Sequence, residues 1–353
     1  MNQSYCLPKC EAAALGGLPA GIRAGDEVHG GVKVVDCMTQ LGLVQQKGCR
    51  VYADNVKARL AKARAKNGII LGRLSRIGCH HDVYIGTMLA KADTLQTLLY
   101  GACIWGHHGL VPTAAGGGPM QHAMQSVLTA VPRAAMQLPA CVGNWIVALL
   151  SGLMPVQYYI VQRFITFWNS LCEGGTPLTV ACRQAQIDML GRSSGPACWL
   201  KRWSIALDTL LPYHGIHDKL VQGRPLDASV LLQSLEDSYK LELQSLGDPF
   251  EAGCSNRRTA FVYRVILGDS GKLGAQPPFL RWRLSDSVRR VWFQFCSASA
   301  AVPVHTLRVR NVPFVSRICT LCTEGVVGDE QHVLLTCPAT ESARFAPCST
   351  LAL

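Results

Sequence analysis

Apolar positions return every three or four residues from Tyr52 to Leu74. Tyr52, Val56, Leu60, Ala63, Asn67, Ile70 and Leu74 share one face, which predicts a helix starting at Val51. A second apolar stretch predicts a helix from about Asp82 to Trp105. Beyond it, helical patterns stand behind four start signals: Gly118-Pro119, Met154-Pro155, Thr176-Pro177 and Asp248-Pro249. Proline suits a helix's first turn, where its missing N–H would have no intrahelical partner. The stretch VPTAAGGGP (111–119) reads as a linker. Near the N-terminus, GVKVVDCMTQLGLVQ (31–45) is rich in β-branched residues and predicts one or two short strands. The first thirty residues are Gly/Ala-rich and weakly patterned. The pattern predicts a mainly α fold with at most one or two short strands near the N-terminus.

One stretch tests that reading. No charged residue stands between Arg133 and Arg163, a gap long enough to span a bilayer. Pro139, Asn144, Pro155, Gln157 and Gln162 interrupt it, and Gly143 and Gly152 flank a short apolar run. Two buried helices joined at Gly152–Pro155 account for it better than a membrane span.

Composition narrows the partner. At 353 residues, 49% hydrophobic and 16% charged, the chain is long and apolar enough for two or three domains with a real core. Its net charge of +11 favours a polyanion, because each neutralised phosphate releases condensed counterions. The charge is clustered. From 47 to 76, nine Lys and Arg residues, Lys57, Arg59, Lys62, Arg64 and Lys66 among them, face Asp54 alone. From 257 to 310, ten basic residues face Asp269 and Asp286, interleaved with aromatics such as Phe261, Tyr263, Trp282, Trp292, Phe293 and Phe295. Arginines among aromatics suit a single-stranded or structured RNA surface, whereas the plainer reading puts the rings in the core. Sixteen cysteines would suggest disulfides in a small secreted protein, but MNQSYCLPKCEAAALGG lacks the pattern of a signal peptide. The expectation is a nuclear or cytoplasmic protein whose cysteines are core residues or metal ligands.

The ligand spacing is concentrated near the C-terminal end. CTLCTEGVVGDEQHVLLTC (319–337) gives Cys-x2-Cys-x9-His-x4-Cys. A Cys-x2-Cys knuckle supplies two tetrahedral ligands from one tight turn, and His332 and Cys337 complete the set. Asp329 can cap a short helix that carries His332 in its first turn and ends before Cys337. The plainer reading is three buried cysteines and a stray histidine. With all four positions filled by protein, Zn2+ bound to Cys319, Cys322, His332 and Cys337 would be structural.

The flanking residues extend the argument. HTLRVRNVPFVSRICTLCTEGVVGDEQHVLLTCPATESAR (305–344) resembles the C-terminal zinc-binding segment of reverse transcriptases from non-long-terminal-repeat retrotransposons. The likeness falls on Leu307-Arg308, Arg317, Asp329-Glu330, Cys337-Pro338 and Arg344. Upstream, MTQLGLV (38–44) is similar to the strand after that family's palm, TLLYGACIWG (97–106) to a thumb segment and LMPVQYYIVQRFITFW (153–168) to the helix pair that follows. The resemblance implies a palm-edge segment over 1–50, thumb-like helices over 51–112, a helical connector over 118–300 and a zinc module over 301–353. The family's Tyr-x-Asp-Asp hairpin is missing. VYADN (51–55) is the nearest lookalike, yet Asn55 stands in the second acidic place at a predicted helix start. No polymerase activity is therefore expected. The resemblance implies a nucleic-acid-binding fragment that contacts RNA or DNA phosphates through Lys57 to Lys66 and through Arg308, Arg310 and Arg317. A separate polymerase subunit is a conceivable partner. An interaction protein, or a degenerate remnant of such an element, in which zinc is only a folding clip stays open as the alternative. GDSGK (268–272) reads as a turn, and His80-His81, His107-His108 and His214-x2-His217 as surface loops.

Overall fold

The computed structural model describes the strand residues 11–12, 27–28, 32–34, 37–40 and 43–46. It further describes 51–110, 119–191 and 198–245, then 273–277, 280, 285–297, 299, 302, 306–307, 310, 312–329 and 332–342. Linker 111–118, the start signal Asp248-Pro249, GDSGK and Arg308 lie outside the described residues.

The architecture is mainly α. Helices run over Val51–Arg76 (α1), Val83–Leu89 (α2), Leu95–Leu98 (α3), Ala102–Trp105 (α4), Pro119–Ala135 (α5) and Asn144–Ser151 (α6). They continue over Val156–Glu173 (α7), Pro177–Leu190 (α8), Trp199–Leu210 (α9), Ile216–Val221 (α10), Ala228–Ser245 (α11) and Asp286–Cys296 (α12). Strands near the N-terminus exceed the expected one or two. Glu11–Ala12 (β1), Glu27–Val28 (β2) and Val32–Val34 (β3) form a sheet in the order β1-β3-β2. Cys37–Gln40 (β4) and Leu43–Gln46 (β5) form an antiparallel pair in which Cys37 faces Gln46 and Gln40 faces Leu43. Two-residue ladders are too short to leave a period-2 pattern, so β1 and β2 carry no signal in sequence.

The helix starts follow the proline signals. α5 begins at Pro119, α7 follows Pro155, and Thr176 caps α8 by accepting a hydrogen bond from the Thr179 N–H. The helix expected over 82–105 is broken. It passes through a π-helical stretch, Ala90–Thr94, and ends at a left-handed Gly101 before α4 resumes. α6 and α7 are separate helices, as the interrupted run requires. Among the described residues no single helix is long and apolar enough to cross a membrane.

The chain groups into two compact units, each drawn from three segments. One comprises 1–78, 85–131 and 154–242, and the other 79–84, 132–153 and 243–353. In the first unit the face of α1 is buried as the spacing demands: Val56, Leu60, Ala63, Asn67, Ile70 and Leu74. Asn67 is the polar member and is satisfied, donating to Val127 O at 2.7 Å and accepting from Thr94 Oγ1 at 2.5 Å. Trp105, Phe164, Trp168 and Trp203 fill the centre, with Phe164 stacked on Trp203 at 4.1 Å between centroids. In the second unit, Val302 is buried among Phe295, Phe314, Val327 and Val333.

Candidate metal centre

The knuckle is built by a short antiparallel contact. Ile318 pairs with Val327, Cys319 N–H donates to Val326 O at 2.8 Å, and Gly328 N–H donates to Arg317 O at 2.9 Å. Gly325 turns the chain between them at φ +68°. This tight turn brings Cys319 and Cys322 onto one side. The second pair comes from the next segment. Asp329 Oδ1 accepts from the His332 N–H at 2.7 Å, the cap its position predicts. The turn it starts, His332–Thr336, is π-helical rather than α-helical, and Cys337 N–H closes it on His332 O at 2.6 Å. Cys337 thus follows directly after the turn.

The four ligand atoms of Cys319, Cys322, His332 and Cys337 lie within 4.8 Å of one another. Cys319 Sγ and Cys337 Sγ are 3.9 Å apart, and Cys322 Sγ is 3.3 Å from His332 Nε2. Two sulfurs held about 2.3 Å from one ion at the tetrahedral angle lie about 3.8 Å apart, so the spacing suits a shared ion. It does not suit a disulfide, which needs sulfurs at about 2.05 Å. Cys319, His332 and Cys337 are buried and Cys322 is partly exposed. The donor set of three sulfurs and one imidazole could hold a divalent cation with every position taken by protein.

The surroundings prepare the sulfurs. Burial raises the Cys319 thiol, but the Leu321 and Cys322 N–H groups and the Cys322 and His332 side chains outweigh it and bring it down to about 7. At Cys322 the Glu324 N–H lowers the thiol, but burial together with the Cys319 and Cys337 sulfurs raises it above its usual value. Two sulfurs of unequal acidity sit side by side, as expected where a first thiolate repels a second until a cation neutralises both. Thr336 is a residue the motif does not reveal. Its hydroxyl lies 3.2 Å from His332 Nδ1, leaving Nε2 directed at the cluster. A metal-bound histidine ordinarily has such a partner on its other nitrogen.

The expected phosphate-binding residues separate into two groups. Lys57, Lys62, Arg64 and Arg310 are exposed, and Lys66 is half-buried in an ion pair with Asp93 at 3.6 Å. Arg59 and Arg317 are buried, at 5% exposure each, and cannot reach a polyanion as the sequence pattern has them do. The Arg59 guanidinium lies over the Tyr100 ring at 4.4 Å, and Arg317 Nε donates to Val312 O at 2.8 Å, holding the approach to the knuckle. Phe293 and Phe295 are core side chains rather than stacking platforms.

Comparison of the chain with protein-family models, curated proteins and solved structures finds no match.

Proposed function

We propose that this chain binds nucleic acid through phosphates along α1 and carries a structural Zn2+ at Cys319, Cys322, His332 and Cys337. The resemblance over 305–344 supports its reading as the C-terminal part of a non-long-terminal-repeat retrotransposon reverse transcriptase, without the polymerase centre. The carrying observation is the asymmetry of α1. Its apolar stripe is buried, which fixes its orientation, and Lys57, Lys62 and Arg64 are exposed on a helix whose one acidic residue is Asp54. Such a surface attracts RNA or DNA by counterion release, without reading sequence. Three thiolates and an imidazole favour zinc over hard cations, and a nuclear or cytoplasmic reducing compartment keeps those thiolates available.

The test replaces Lys57, Lys62 and Arg64 together by Gln and follows duplex DNA binding against salt by fluorescence anisotropy. The three side chains are exposed, so the thermal midpoint should hold. The log–log salt slope should fall by about 0.9 for each phosphate that the variant no longer neutralises. A wild-type slope in the triple variant, or binding indifferent to salt, overturns the reading in favour of an interaction protein with a zinc clip.

A further inference from the structure

A cleft of about 690 Å3 opens beside α7, and none of its lining residues belongs to the metal centre or to α1. α7 lines it together with the π-helical stretch Ala90–Thr94, α3 and the start of α4. Its volume lies within the range of ligand pockets, roughly 300–1,000 Å3. Leu95, Leu99, Tyr159 and Phe167 make it largely apolar, and Lys91 and Arg163 bring two cations to it. No carboxylate lines it among the described residues. An apolar cleft with a few convergent polar groups is how small-molecule sites are built.

Both cations are tied to one side chain. Arg163 donates to Gln96 Oε1, and Gln96 Nε2 donates to Lys91 O at 3.4 Å. Gln96 thus fixes the guanidinium beside the turn that carries Lys91, and it takes up one of the guanidinium's five donors. That turn is π-helical, a form that is rare in α-helices and recurs at functional sites. Burial also holds the Lys91 ammonium below its usual value. An anion bound beside it would favour the charged form and offset that cost.

Charge selects the anion. Two cations lining a cleft without a carboxylate match a dianion better than a monoanion. A phosphate monoester comes close to two negative charges above pH 7 and offers three strong acceptor oxygens. A phosphodiester of a nucleic-acid backbone carries one charge for each phosphate. The cleft therefore differs in kind from the row of exposed cations on α1, and its apolar wall gives the rest of a small ligand a surface to bury.

We propose that this cleft binds a small phosphate monoester, its phosphate held by Lys91 and Arg163 and its apolar or aromatic body against Leu95, Leu99, Tyr159 and Phe167. The experiment is calorimetric titration of the full chain above pH 7 with phenyl phosphate, methyl phenyl phosphate and inorganic phosphate. Phenyl phosphate should bind saturably at one site. The methyl ester keeps the ring and loses one charge, and inorganic phosphate keeps the charge and loses the ring, so each should bind about tenfold more weakly or worse. Arg163→Met and Lys91→Met should each weaken phenyl phosphate about tenfold. Arg163 is exposed, so its replacement should leave the thermal midpoint in place, and Lys91→Met should leave it unchanged or raise it, since burying an ammonium is costly. No saturable binding of phenyl phosphate, equal affinity for the methyl ester or for inorganic phosphate, or unchanged affinity in both variants overturns the proposal. Tighter binding of a tyrosine-phosphorylated peptide than of phenyl phosphate overturns it too, because the occupant would then be a phosphorylated chain. The α1 reading is tested on duplex DNA with other residues, so either can fall alone.

Discussion

In the turn after α4, His107 is 3% exposed, with its ring 4.7 Å from that of His108 and 5.8 Å from Trp203. Burial first, then the neighbouring His108 and Arg202, drive its pKa from 6.5 down to about 3. The folded chain therefore holds the neutral imidazole, whereas the unfolded chain takes up a proton below pH 6.5. Proton uptake by the unfolded state alone makes stability fall as pH drops from 6.5 towards 3. At pH 5 the loss from this residue is about 2 kcal/mol. His107→Gln should remove that part of the acid sensitivity, measured as a smaller drop in urea unfolding free energy between pH 7 and pH 5. An unchanged drop would mean that the ring titrates normally. The sequence does not disclose this histidine. His107-His108 reads as a surface pair, and only the packing of its turn against α7 and α9 buries it. Arg59 is hidden for a related reason: it borders the buried stripe of α1, and it is the Tyr100 ring, forty-one residues away, that receives it. The four candidate ligands are legible because their spacing is itself the geometry of a knuckle and a short turn. Thr336 is not, since a hydroxyl near a histidine has no distinguishing pattern.

Among the elements, α1 is the most legible because the residues its spacing puts on one face from Val56 to Leu74 are buried. The 82–105 segment misleads, since its apolar residues continue across a turn that only the backbone at Gly101 reveals. The α6–α7 break is readable at both ends. Gly152 terminates α6 with φ +67°, donating to Leu149 O at 3.2 Å while Leu153 N–H donates to Ala148 O at 2.8 Å, and Pro155 starts α7. What the sequence leaves out is how tightly the backbone passes Gly152. A Cβ there would lie 2.6 Å from Ala275 O and 2.7 Å from Gln276 Cα, both backbone atoms. Gly152→Ala should therefore cost about 2–4 kcal/mol, combining left-handed strain with a main-chain clash. Gly143, at the start of α6, has nothing within 4 Å of its Cβ direction and an ordinary φ of −60°. Gly143→Ala should change stability by less than about 1 kcal/mol. Calorimetric midpoints of the two variants check the contrast, and equal shifts would refute the close approach at Gly152.

At the scale of the whole molecule, the first unit and the C-terminal segment from 302 onward differ in what holds them. The first has a deep core of Trp105, Phe164, Trp168, Trp203 and the α1 stripe. Among the described residues from 302 onward, the buried apolar side chains are Val302, Cys319 and Cys337, and two of those three belong to the candidate metal cluster. There a bound ion would supply folding free energy of order 10 kcal/mol, since no preformed site exists in the unfolded segment. That difference explains why the sequence reads so unevenly. A segment that a bound ion would order is specified by a few fixed spacings, whereas an α-helical core spreads its specification over many interchangeable apolar positions. The same difference predicts a divided response to chelation. A strong zinc chelator, or Cys337→Ser, should abolish hydrogen-exchange protection at the amides of Cys319, Gly328 and Cys337, whose bonds close the knuckle and the turn. The amides of α7 and α9 should keep theirs, because their protection rests on aromatic packing within the first unit. Zinc restored in stoichiometric amount should recover protection in the chelated chain but not in Cys337→Ser. Retained protection at those three amides after complete metal removal would show that the segment folds on its own core, and the four side chains would lose their role as its organising centre.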